Sequence, residues 1–169
     1  MILSKTSKIS VSLLVSAIAF TFLFAGFYFD FWLQITCTVL ILVFLAFWFE
    51  GTDIKRQIKI SSSQMPFSIL LGLLSGIFLY LVFYVGNELA SHLLPFGASG
   101  IRSVYDFGAG VEGRVVFFLL LFVIRPGEEI FWRGYIQKSL AEEYGKLGAG
   151  FAILAYAGVH LASGNLMLI

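Results

Sequence analysis

Apolar and polar positions along this chain are grouped in long blocks, without the short-period alternation of an amphipathic element. Residues 9–29 carry no charge, nor do 31–49, and a third uncharged block, 67–87, is closed by Glu88. Each block reaches the ~20 residues that a helix needs to cross a hydrocarbon core of ~30 Å. A helix apolar all the way round is stable when buried or in lipid, so the three blocks predict three membrane helices. Lys5 and Lys8 precede the first block as the basic end of a secretory signal does. The block is longer than a signal core of ~7–15 residues, and no small-x-small cleavage site precedes Asp30, so a retained membrane helix is expected.

Beyond residue 110 the pattern is less regular. Residues 115–124 are apolar but short, and they run into Arg125-Pro126-Gly127-Glu128-Glu129 before the apolar pattern resumes through Tyr135 and Ile136. This predicts a fourth membrane helix over about 115–139, disturbed near Pro126, which lacks an N–H and crowds the preceding turn. A fifth block starts at Leu147 and has no formal charge to Ile169. The run 163-SGN-165 is a break signal, so the fifth helix is expected to end near Ala162, with Asn165 beginning a new segment. The expected fold class is all-α: a polytopic transmembrane bundle of about five membrane helices plus the start of a sixth, forming one integral membrane domain over 1–169. Gly72 with Gly76, and Gly158 with Ala162, are small-xxx-small pairs that suit close helix packing within the chain.

Basic residues orient this layout. With the N-terminus in the cytoplasm, Lys5, Lys8, Lys55, Arg56, Lys59, Arg125, Arg133, Lys138 and Lys146 fall inside, against Arg102 and Arg114 outside. That asymmetry follows the positive-inside rule and predicts a multi-pass protein of the cell membrane. The outer loop, 88–114, is rich in glycine, including 97-GASG-100 and 108-GAG-110.

Composition strengthens the membrane reading. The 169 residues are 59% hydrophobic and 12% charged, with 19 Phe, and the mean hydropathy is +0.94. Soluble domains carry about 25% charged residues, so this chain cannot clothe itself for water and a lipid bilayer is its expected solvent. The net charge of +1 comes without a cluster of Lys and Arg, which argues against a nucleic-acid partner. The single Cys37 excludes a disulfide framework within the chain.

The charges of 126-PGEEIFWRGYIQ-137 are costly at membrane depth, about 2.5–3.5 kcal/mol each on insertion scales. Glu129 and Arg133 are four residues apart, so on a helix they can pair. Glu128 points about 100° away, towards Trp132 and Tyr135, and is left without a partner. A carboxyl in such a place can take or give a proton. The other titratable group at membrane depth is His160. Counted from the hairpin between the fourth and fifth helices, Glu128 lies about 15 Å and His160 about 20 Å along their helices, so the two can meet at similar depth. From the residues alone three readings stand open: a structural lock between helices, a catalytic pair, and a proton or ion pathway through Glu128, Glu129 and His160. His92, at the start of the outer loop, is not expected to take part in chemistry.

The segment Glu128-Glu129-Ile130-Phe131-Trp132-Arg133-Gly134 resembles the E-E-x-x-x-R motif of the CPBP family, the CAAX-protease and bacteriocin-processing membrane proteins, also called Abi. Tyr156-Ala157-Gly158-Val159-His160 resembles the family's F-x-x-x-H motif, with Tyr in place of Phe, and Gly164-Asn165 follows as is frequent there. The resemblance covers about 125–169, and the family-like catalytic part would start near 115. It implies an intramembrane endopeptidase in which Glu128 and His160 position and activate a water, with Glu129 and Arg133 as a supporting pair. The implied substrate is a peptide or membrane protein: a prenylated protein, a bacteriocin precursor or another membrane protein. Zinc or another divalent metal held by Glu128 and His160 is one implied mechanism; a metal-free glutamate mechanism is the other. The family's third motif, H-x-x-x-N, which is assigned to the oxyanion, does not follow His160, so a chain incomplete at its C-terminus is expected. The competing reading is a non-catalytic membrane protein that uses the same scaffold for bacteriocin immunity or partner binding.

Overall fold

The computed structural model describes residues 4–25, 30–58, 65–93 and 111–164, and every element among them is a helix. Helix α1 (Lys5–Ala25) takes up the first apolar block as far as the described residues reach, and α2 (Phe31–Ile58) and α3 (Met65–Leu93) take up the second and third and run beyond them. All three are long and apolar enough to cross a membrane. Their starts follow local chemistry. Ser4 Oγ accepts the Ser7 N–H at 3.1 Å, and Asp30 Oδ1 accepts the Leu33 N–H at 3.0 Å. Both bonds satisfy donors that a helix start leaves open. The backbone of α2 departs from helical geometry at Glu50, so its last part, carrying Lys55 and Arg56, kinks away from the apolar stretch.

The fourth rod is assembled from α4 (Gly113–Leu119), a π-helical segment π1 (Leu120–Ile124), α5 (Arg125–Glu128), a second π segment π2 (Glu129–Gln137) and the first part of α6 (Lys138–His160). Pro126 explains the widening before it. Its ring would crowd the preceding turn and its missing N–H leaves a carbonyl unpaired. In π1 the Arg125 N–H reaches Leu120 O instead, one residue further back than in an α-helix. The disturbance expected near Pro126 is thus a widening that lets the rod continue. The expected end near Ser139 is not observed. Leu140 to Tyr144 continue the helix, and the chain reverses at Gly145, whose φ is +62°. The hairpin can close there because Gly148 comes against the Leu140 carbonyl, where a Cβ would stand 2.0 Å from the oxygen. The remainder of α6 runs to His160, followed by a 3-10 turn, Leu161–Ser163, close to the expected end at Ala162.

α1 packs on α2 and on α6, and α2 packs on π2 and α5. Phe20, Leu23, Leu42, Ile54, Phe131, Tyr135 and Ile136 form the centre, each nearly free of solvent contact. Polar ties cross it: Tyr135 Oη and Ser12 Oγ hydrogen bond at 3.2 Å, and Gln57 Nε2 donates to Gly134 O at 3.1 Å. Gly127 lets α5 approach α2, since a Cβ there would lie 2.2 Å from Val39 Cγ1. At the hairpin end a charge network gathers the helices: Lys5 with Glu142 at 2.6 Å, Lys138 with Asp53 at 3.4 Å, and Lys8 with Glu50 at 3.6 Å.

Two packing expectations come out differently. α3 is exposed along Met65–Gly86, and a Cβ added at Gly72 or Gly76 meets nothing within 4 Å. Gly158 and Ala162 line a cleft of about 300 Å³ together with Leu13, Ser16, Ala17 and Thr21 of α1, and a Cβ added at Gly158 meets nothing within 4 Å. Most of the expected outer loop, 94–110 with both glycine runs, lies outside the described residues, as does Lys59.

Candidate active site

Glu128 closes α5 where the helix passes into π2. Its neighbour Gly127 is pressed on Val39 and Val43 of α2, which fixes the depth at which Glu128 enters the bundle. π turns inside α-helices are frequent at functional sites. Glu128 is 9% exposed. It lines a cavity of about 740 Å³ together with Arg125, Trp132, Arg133, Gln137 and Tyr156; Leu79 and Phe83 of α3 and Ala152 and Ile153 of α6 supply apolar wall.

The expectation that Glu128 has no charged partner is corrected. Arg125 Nη1 lies 3.5 Å from Glu128 Oε2, three residues upstream on the same helix. Arg125 and Tyr156 line the same cavity. Glu129 and Arg133 pair across one turn, as their spacing implied, and both border the cavity from its exposed side. The sequence carried the missed signal, since Arg125 and Glu128 have the three-residue spacing at which helix neighbours meet.

His160 ends α6 and is 8% exposed. Its Nδ1 is 2.8 Å from Tyr156 O. A carbonyl oxygen accepts and does not donate, so this bond assigns the proton to Nδ1 and leaves a lone pair on Nε2. The ring is enclosed by Tyr156 at 4.6 Å, Phe20 at 5.0 Å and Phe24 at 6.0 Å between centroids. Glu128 at the end of α5 and His160 at the end of α6 are both nearly buried. His160 is not on the cavity wall, however; Tyr156 borders both the cavity and the imidazole. The aromatic ring of the second motif is therefore the contact between the two halves of the site.

The donor set does not fit a zinc site. Such a site takes three protein ligands and a water. Among the described residues no three His, Cys, Asp or Glu side chains gather as a metal site requires, and Glu128 with His160 makes two.

Residues 111–169 match the family model of type II CAAX prenyl endopeptidase Rce1-like proteins. The matched segment contains both motifs, 128–133 and 156–160, and is consistent with a CPBP family intramembrane protease. The matched family is a protease family. Together with the three long apolar helices this marks a membrane-bound protein. No curated protein and no solved structure matches the chain.

Proposed function

We propose that this CAAX-protease-like segment works as an intramembrane endopeptidase, in which Glu128 and His160 activate a water against a peptide bond of a prenylated polypeptide. The observation that carries the reading is a nearly buried carboxylate, Glu128, on the wall of a cavity bordered by both charged and apolar groups. Leu79, Phe83 and Ile153 suit a lipid chain, and Arg125, Arg133 and Gln137 suit a peptide backbone and its charges.

The chemistry is a hydrolysis in two steps. The Glu128 carboxylate takes a proton from a water as the water oxygen bonds to the carbonyl carbon, and the carbonyl electron pair moves onto its oxygen. His160, holding its Nδ1 proton on Tyr156 O, offers Nε2 as the acceptor that orients the water. The oxyanion then reforms the carbonyl, the C–N bond breaks, and the leaving nitrogen takes the proton from Glu128. Glu129 and Arg133 act by mutual neutralisation at the cavity edge and keep Arg133 from competing for Glu128.

The same proposal places the N-terminus in the cytoplasm, supported by Lys5, Lys8, Lys138 and their acidic partners at the hairpin end. It also takes the rod from Gly113 and the closing part of α6 as fourth and fifth crossings, a count that rests on their antiparallel pairing beside α1 and α2.

The test uses the full chain in liposomes with a farnesylated peptide ending in Cys-aliphatic-aliphatic-residue. Glu128→Gln is expected to lower kcat by about 10²–10⁴, the worth of a general base. A wild-type chain that leaves the peptide intact, or a Glu128→Gln variant that cuts it normally, refutes the protease reading. The latter result is what a non-catalytic immunity or partner-binding scaffold predicts.

A further inference from the structure

Helix α2 changes direction at Glu50, where the backbone leaves helical geometry at φ −140° and ψ 32°. A bend of this kind has a local cause, such as a glycine or a side chain set into the ladder of helical hydrogen bonds. Both are present. Gly51 follows at once, and Lys8 of α1 brings its Nζ to 3.4 Å from Phe49 O and 3.6 Å from Glu50 Oε1. The ammonium holds the carbonyl and the carboxylate at the bend, so α1 helps to set where the rest of α2 points.

That remainder, 51–58, is an arm of about two turns that leads onto the rod carrying Glu128. Its anchor is Ile54, which is 1% exposed and belongs to the central cluster. Polar ties flank the anchor. Lys138 Nζ donates to Asp53 Oδ2 at 3.4 Å, and Gln57 Nε2 donates to Gly134 O at 3.1 Å. The same Nε2 reaches Asp53 O of its own helix at 3.4 Å. An amide nitrogen has two protons, and these two carbonyls give the side chain one direction.

The tied positions lie where the rod changes pitch. Gly134 stands inside π2 and Lys138 directly follows it, and the Lys138 N–H goes back only three residues, to Tyr135 O. An α-helix repeats every 3.6 residues, whereas a π turn closes five residues back. Tightening 129–137 into an α-helix would therefore swing Arg133 and Gln137 about the axis relative to Glu128, with which they now share one cavity. A hold on Gly134 from another helix opposes that change.

Resting on the protease reading above, we infer that Gln57 is a positioning residue: through Gly134 O its arm keeps π2 in register, so that Glu128 meets a peptide laid against Arg133 and Gln137. Gln57 is not on the cavity wall and acts only through π2. Losing the hold lowers the share of bound complexes in attack geometry, and that share enters kcat. The apolar wall of Leu79, Phe83 and Ile153 is untouched, so KM changes little.

The test compares wild type, Gln57→Met, Gln57→Lys and Glu128→Gln as full chains in liposomes, with the farnesylated peptide as substrate. Gln57→Met keeps the length of the side chain and removes the donor; Gln57→Lys supplies a donor again. Gln57→Met is expected to lower kcat by about three- to tenfold, the worth of one hydrogen bond, with KM changed less than about twofold. Gln57→Lys should recover most of the loss. Amide hydrogen exchange reads the hold without turnover: it should quicken over 129–137 in Gln57→Met and stay unchanged in α1, whereas a general loosening of the fold quickens both. Normal kcat in Gln57→Met, a raised KM at unchanged kcat, or a Gln57→Lys variant as slow as Gln57→Met overturns the assignment. Equal exchange over 129–137 in wild type and Gln57→Met does the same. If Glu128→Gln is inactive while Gln57→Met is normal, the Gln57 assignment fails and the protease reading stands. If wild type leaves the peptide intact, the protease reading fails, and exchange alone decides whether Gln57 holds π2.

Discussion

Arg125 Nη1 stands 3.5 Å from Glu128 Oε2, three residues upstream on one helix, and both side chains line the same cavity. An opposite charge close to a carboxylate favours its charged form. Because 70% of the Arg125 side chain is exposed, the pair is screened and is worth about 0.2–1 kcal/mol. Arg125→Ala is therefore expected to lower kcat/KM by about two- to fivefold, the kinetic equivalent of that energy. Arg125→Lys should recover most of it. A loss of about a hundredfold, read by steady-state kinetics, would instead assign Arg125 a direct contact with substrate.

His160 offers a separation of structure from chemistry. Its Nδ1 bond to Tyr156 O can be kept by the amide of His160→Asn and is lost in His160→Ala. The Asn variant is expected to be more stable than the Ala variant by about 1 kcal/mol, the net worth of one hydrogen bond. Both variants lose Nε2 and should lose cleavage by about 10²–10⁴. Thermal midpoints in micelles paired with peptide cleavage check this; an active His160→Asn would remove Nε2 from the mechanism.

Two glycines should respond differently to alanine. At Gly127 the added methyl would meet the Val39 side chain at 2.2 Å and Val43 at 3.2 Å. Gly127→Ala is expected to cost about 1–3 kcal/mol, as overpacking does. Val39→Ala in the same chain should restore part of it, since the two sites share one contact. At Gly148 the methyl would meet the Leu140 carbonyl oxygen, which is backbone and cannot be trimmed. Gly148→Ala should be at least as damaging and unrelieved by Leu140→Ala. Thermal unfolding of the double variants decides both cases.

Stability should also carry a small acid-dependent part from Glu142. The Lys5 ammonium, hydrogen bonded at 2.6 Å, holds the Glu142 carboxyl below its usual range. A carboxyl whose folded-state value is depressed stabilises the fold above its ordinary value, about pH 4.3, and loses that contribution as pH falls through the folded value. The two side chains are 36% and 48% exposed, so the effect is about 0.2–1 kcal/mol and falls with salt. Melting curves between about pH 6 and pH 3 should show the added loss in wild type and not in Glu142→Gln. Parallel curves for the two would disconnect this ion pair from stability.

Much of the architecture could be read from neighbouring residues. Three uncharged blocks became α1, α2 and α3, Pro126 produced a local disturbance, Glu129 found Arg133, and the chain left its last helix beside Ser163-Gly164. Each follows from interactions within about 20 residues: hydropathy over a membrane thickness, a missing N–H, a four-residue spacing. Arg125 shows where local reading is under-determined. Glu128 has neighbours at several helical spacings, and which one meets it depends on rotamer and helix geometry through a π turn.

What the sequence by itself determined is therefore the membrane character of the chain, its helices, and the residue types from which a hydrolytic site can be made. The tertiary structure decided where those groups stand. It turned the hairpin at Gly145, set His160 among Phe20, Phe24 and Tyr156, put Glu128 on a cavity wall beside Arg125, and left the Trp132 N–H without a hydrogen-bond partner among the described residues. These outcomes join residues of α1, α2, α5, π2 and α6, and they depend on which faces pack together. A one-dimensional pattern of polarity fixes how much of a helix is apolar, but the close approach at Gly127 and the enclosure of each polar atom are set by contacts between helices.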